Sequence, residues 1–142
     1  MNLKRSTSFF KNQLPAILWM ALIFTLSSIP GSAYAPYEFP YAHTIAHTIL
    51  FGVLYFLLYR AFKYQSYSRL FADFSTVIAF FVVVLYGMSD EYHQSFVPGR
   101  SEKLSNVLND TIAALIVFIA IVIYEKFIRS RQSAAREIQK TM

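Results

Sequence analysis

Charge in this chain is confined to short clusters, and between them lie four uncharged, largely apolar runs at residues 12–37, 39–59, 74–89 and 111–124. That spacing is the strongest constraint on the fold, because it repeats on the scale of a bilayer crossing. Hydrophobic residues make up 56% of the 142 and charged ones 15%, against about 45–50% and about 25% in soluble domains. The imbalance points to lipid as the solvent and to one all-α unit, a polytopic membrane protein built as a bundle of four transmembrane helices. There is no cysteine, which excludes disulfides, thiolate metal sites and cysteine nucleophiles. The net charge of +5 sits in clusters between the apolar runs and not along a polar face, so nucleic acid is not an expected partner. The bilayer is.

A helix needs about 20 residues to cross roughly 30 Å of hydrocarbon, and the third and fourth runs are shorter than that. They must borrow polar ends. The third is predicted to start near Leu70 and to carry Asp90 and Glu91 to the boundary. The fourth is predicted from near Leu104 to near Lys126, which puts Asp110 about 9 Å inside the helix start. The first is read from Leu14 to Tyr34. Of the 13 Lys and Arg, only Arg100 and Lys103 fall in the first or third loop. The excess of cations on the other side predicts cytoplasmic termini. The expected organisation is a basic N-terminus at 1–13, a membrane domain at 14–128 and a basic, partly helical tail at 129–142. Ala33-Tyr34-Ala35 has the form of a signal-peptidase site, but Pro36 suits a scissile position poorly and the run is long enough to span, so the first helix is expected to be retained. No internal repeat is evident.

The polar residues are less easily explained by a bilayer. The third helix ends in Asp90-Glu91-Tyr92-His93-Gln94, followed by Phe96-Val97-Pro98-Gly99-Arg100. Pro98-Gly99 fits the centre of a type II turn, since proline presets the first position and glycine accepts positive φ at the second. The turn would bring Arg100 back over the helix end as a partner for Asp90 and Glu91. Asp90, His93 and Gln94 fall at i, i+3 and i+4 on one face, with Glu91 on another. In the fourth helix Asn106 and Asp110 stack at i and i+4. A carboxylate in a span costs about 2.5–3.5 kcal/mol at the bilayer centre, so Asp110 should face a partner in the bundle. Ser101 is the expected N-cap of that helix. His43 and His47 share H-x-x-x-H spacing but lack the glutamate of the zinc-protease motif, and no metal is assigned. The predicted topology places His47, Asp90, Glu91, Gln94, Arg100 and Asp110 together at the outer end.

On these residues the chain resembles the VanZ-like family of small bacterial integral membrane proteins, named for a protein associated with teicoplanin resistance. The likeness covers residues from about 27 to 114. Asp90-Glu91 and Gln94, with Phe96, Pro98 and Arg100, match a D-E-x-x-Q-x-F-x-P-x-R-like signature, and His47 matches the histidine of helix two. The chain departs from the family pattern at His43, Thr44, Phe51, Asn106 and Ala113. The resemblance implies a multi-spanning protein linked to glycopeptide susceptibility and to the cell envelope, without specifying a reaction or cofactor.

Three functions are compatible with this reading. In the first, Arg100, with Gln94, His93 and Asn106, binds a lipid-linked or wall-precursor anion at the outer leaflet. In the second, Asp90, Glu91, His47 and Asp110 act as acid–base groups of a membrane-embedded hydrolase or transferase, with or without a divalent metal, for which the sequence shows no complete ligand set. In the third, the polar cluster only locks the bundle of a structural subunit.

Overall fold

The computed structural model describes residues 9–33, 41–100 and 103–141, with side chains through Gln139. A π-helical turn at Phe9–Gln13 leads into α1 (Leu14–Ser27), and a 3-10 turn follows at Gly31–Ala33. Then come α2 (Ala42–Lys63), the short α3 (Arg69–Asp73), α4 (Ser75–Gln94) and the long α5 (Leu104–Thr141). No strand occurs among the described residues. Four helical segments, Phe9–Ser27, Ala42–Lys63, Ser75–Gln94 and Leu104–Gln139, are long and apolar enough to cross a bilayer, as the four uncharged runs predict.

The helix bounds differ from expectation in three places. The first segment begins and ends earlier than 14–34. Pro15 sits in the opening turn of α1, where it lacks the N–H that would bond the Lys11 carbonyl, and a wider π turn precedes it. The third span starts at Ser75 and not near Leu70, because the chain first makes the separate α3. The buried Gln65 organises the loop before it, accepting from the Tyr67 and Ser68 amides at 2.7 and 2.8 Å and donating to the Ser68 carbonyl. The last helix overruns Lys126 and continues to Thr141; residues 125–141 contain no Gly or Pro and are rich in Glu, Lys, Arg, Gln and Ala, all good helix formers. The cleavage-like segment at 34–36 and the expected cap Ser101 lie outside the described residues.

Helices α2, α4 and α5 pack against one another in pairs, and α1 rests on α2 and α4. Each of the three central helices buries one stripe at helical spacing. In α2 it includes His47, Phe51, Leu54, Tyr55 and Leu58. In α4 it includes Ala79, Val83, Gly87, Asp90, Glu91 and Gln94. In α5 it includes Asn106, Asp110, Ala113, Ala114 and Ile121. Small residues at Ala79, Gly87 and Ala114 let the helices approach closely, the usual basis of packing where lipid offers no hydrophobic drive between helices. Large apolar side chains such as Leu18, Phe81, Leu85, Ile116 and Ile123 point outward. Partly buried hydroxyl and indole groups find backbone partners across helices: Trp19 Nε1 donates to the Leu50 carbonyl at 2.9 Å, Tyr86 to Met20 at 2.6 Å and Tyr55 to Thr76 at 3.1 Å. At the far end, Tyr59 donates to Glu125 at 2.6 Å and Lys63 pairs with the same carboxylate at 3.0 Å.

Candidate functional site

The stripes of α2, α4 and α5 turn polar at the same end of the bundle, and the turn after α4 closes that end. Gly99 has φ +73° and the Arg100 amide bonds the Val97 carbonyl at 3.1 Å, the type II turn predicted from Pro98-Gly99. The Gly31 amide donates to the Pro98 carbonyl at 3.1 Å. A Cβ on Gly31 would collide with the Gly99 carbonyl, so this close crossing of two backbones requires glycine.

The turn aims Arg100 at α1 and not at the acids of α4. Its Nε donates to the Ile29 carbonyl at 3.2 Å and one Nη to Leu26 at 3.3 Å, while the other lies 3.4 Å from His43 Nε2. The carbonyls at a helix C-terminus carry partial negative charge and lack intrahelical donors, which is what the guanidinium satisfies. No ion pair joins Arg100 to Asp90 or Glu91 among the described residues, contrary to the sequence expectation.

The two acids are held separately. Gln94 Nε2 donates to Asp90 Oδ2 at 2.7 Å, one helical turn away. Glu91 reaches across to α5, accepting from the Lys103 amide at 2.8 Å and from Asn106 Nδ2 at 2.9 Å. It thus caps the positive start of α5 from a neighbouring helix. His47 on α2 and Asp110 on α5 meet with Nδ1 at 3.1 and 3.3 Å from the two carboxylate oxygens. All of these groups are buried, Asp110 and Gln94 at 1% exposure and Asp90, Glu91 and His47 at 4, 5 and 7%. One ligand atom each from His47, Asp90 and Glu91 lies within 4.8 Å of the others.

His93 does not join them. It faces α1, stacking on Phe24 with ring centroids 4.4 Å apart and meeting Ser28 Oγ at 2.9 Å. The expected face of Asp90, His93 and Gln94 is therefore replaced by Gly87, Asp90, Glu91 and Gln94. Continuing the Ala79-Val83-Gly87 stripe down the helix would have found it. His43 stacks on His47 with centroids 4.3 Å apart and an interplanar angle of 30°. Gly87 is a contributor the sequence reading passed over: a Cβ there would lie 3.3 Å from Asp110 Oδ2 and 3.4 Å from the Phe51 ring.

Above this layer is a cavity of about 540 Å³ whose polar lining includes His43, His47, Gln94, Arg100, Lys103 and Asn106. No Asp or Glu is among its described lining residues; the carboxylates sit behind the wall. Leu26, Ser27, Gly31, Ala42 and Leu50 also line it.

No curated protein and no solved structure matches the chain. The VanZ/LLP1 family model matches residues 10–125, which takes in the second and third spans, nearly all of the first, the fourth as far as Glu125, the turn at Pro98-Gly99 and every residue of the buried polar layer. A match over that much of the chain makes it a member of the VanZ/LLP1 family.

Proposed function

We propose that the cavity is a binding pocket for an anionic head group of the cell envelope, a phosphate or carboxylate on a lipid or lipid-linked wall precursor, presented at the extracytoplasmic face. The observation that carries this reading is the composition of the wall among the described residues: two cationic side chains, two imidazoles and two amides, with Asp90, Glu91 and Asp110 behind it. A guanidinium and an ammonium at a membrane surface suit a phosphate, the first by fork geometry and the second as a point charge. The excess of Lys and Arg in the opposite loops and termini supports an outward orientation for this end. A role in glycopeptide susceptibility would follow from occupancy by a wall precursor.

Lys103→Ala is the cleaner test, since its exposed side chain holds no helix together, whereas Arg100 also binds α1. Purified protein titrated with a short-chain lipid phosphate should bind it, and Lys103→Ala should weaken binding without changing the melting temperature. Equal affinity in wild type and in both Lys103→Ala and Arg100→Ala would remove the proposal.

A second reading, a hydrolase or transferase acting on the same ligand, is favoured by one feature. His47 lines the cavity while its Nδ1 is fixed by buried Asp110, the arrangement that orients an imidazole for proton transfer. Release of phosphate from the bound lipid, lost in His47→Gln with binding retained, distinguishes it from simple capture.

A further inference from the structure

We propose that His47, Asp90 and Glu91 bind a divalent first-row transition cation of the Mn²⁺ or Zn²⁺ class at the floor of the cavity, with Asp110 orienting the imidazole. The geometry comes first. One ligand atom from each of the three residues lies within 4.8 Å of the others, and all three side chains are buried. Metal–ligand bonds of about 2.0–2.2 Å place neighbouring ligands roughly 3–4 Å apart, so side-chain adjustment of about an ångström closes the set.

Charge is the second argument. Asp90, Glu91 and Asp110 are at least nine-tenths buried in one layer of a membrane bundle, and the first two lie in the last turn of α4, where the helix end is itself negative. The one ion pair in this layer among the described residues is His47 with Asp110. Gln94, Asn106 and the Lys103 amide donate hydrogen bonds to Asp90 and Glu91 but bring no charge. Grouped carboxylates removed from water are costly unless a cation neutralises them. A divalent ion does so where the side chains do not.

Third, the surroundings have the form of a metal site. With His47 Nδ1 on Asp110, Nε2 is the nitrogen left to ligate, the carboxylate–histidine–metal relay that fixes ring orientation and tautomer. One nitrogen and two carboxylates suit manganese or zinc better than magnesium, which prefers oxygen and retains water. Because His47 also lines the cavity, the ion has an entry path and room for a further ligand. The site is independent of the pocket's proposed anion and is an alternative to proton transfer by His47, since a bound ion would engage the second of its two ring nitrogens; its test contains no lipid or phosphate.

The purified full-length protein in detergent, stripped with chelator and desalted, would be titrated separately with MnCl₂ and ZnCl₂ and read by elemental analysis and melting temperature. The expected result is about one bound ion per chain and a melting temperature that rises with the metal and falls again with chelator. Asp90→Asn and Glu91→Gln should abolish both, and Asp110→Asn should weaken affinity by about 10–100-fold. Bound Mn²⁺ should show coupling to an imidazole nitrogen in pulsed electron paramagnetic resonance, absent in His47→Gln. Substoichiometric binding to wild type, or undiminished binding in Asp90→Asn, would overturn the proposal. If the carboxylate variants fail to fold, wild-type stoichiometry and the nitrogen coupling decide it alone.

Discussion

At the level of single residues, the least conspicuous participant is Gly87. It belongs to the buried stripe of α4, and the space a side chain would occupy is taken by Asp110 and Phe51. Inserting bulk into a packed interior costs about 1–3 kcal/mol. Gly87→Val should lower stability by that order and displace Asp110 from His47, with Gly87→Ala giving a smaller loss; thermal unfolding in detergent measures both. A Gly87→Val protein as stable as wild type would show that α4 and α5 are less closely packed than described. The His47–Asp110 contact makes its own prediction. Because both groups are buried and in direct contact, the double-mutant cycle of His47→Gln and Asp110→Asn should give a coupling energy of about 0.5–3 kcal/mol. Additive losses would mean that the two stabilise the fold separately.

Elements at the polar end are tied by groups that belong to their neighbours. Arg100 satisfies carbonyls at the end of α1, and Glu91 satisfies the start of α5. Arg100→Ala should therefore raise amide hydrogen exchange around residues 28–33, with little change in α5. Glu91→Gln should act at residues 103–106. Exchange that rises equally at both places in both variants would mean a single cooperative unit and not two local caps. At the opposite end Tyr59, Lys63 and Arg129 converge on Glu125. Tyr59→Phe removes one of those bonds and should cost about 0.5–1.5 kcal/mol, read by the same thermal assay.

For the molecule as a whole, orientation decides what the cavity can meet. Since the chain has no native cysteine, Ser95→Cys and Ser66→Cys place single thiols at opposite ends of the bundle, both at exposed positions. A membrane-impermeant thiol reagent applied to intact cells should label position 95 and spare position 66. The reverse pattern would turn the cavity toward the cytoplasm and remove an extracytoplasmic ligand from consideration. Four crossings, and the end of the bundle at which the polar residues gather, follow from the order of charged and apolar residues along the chain. Bilayer thickness and the cost of moving charge through it make these one-dimensional properties. The type II turn is equally local, set by the restricted φ of Pro98 and the freedom of Gly99.

What the linear order left open is rotation and partnership. Glu91 and His93 lie two residues apart, yet one enters the buried layer and the other meets α1. The choice depends on which stripe of α4 faces α2 and α5, and Ala79, Val83 and Gly87 settle it 4 to 12 residues upstream. Arg100 is close in sequence to two acids but binds the α1 carbonyls, because Gly31 and Gly99 bring those backbones together. His47 and Asp110, 63 residues apart, become partners only when α2 packs on α5. The sequence by itself determined the lipid-embedded four-helix class and the polar end, because both depend on transfer of residues between water and hydrocarbon. The tertiary structure decided which acid faces which base, because that depends on helix rotation and on contacts between segments far apart in the chain.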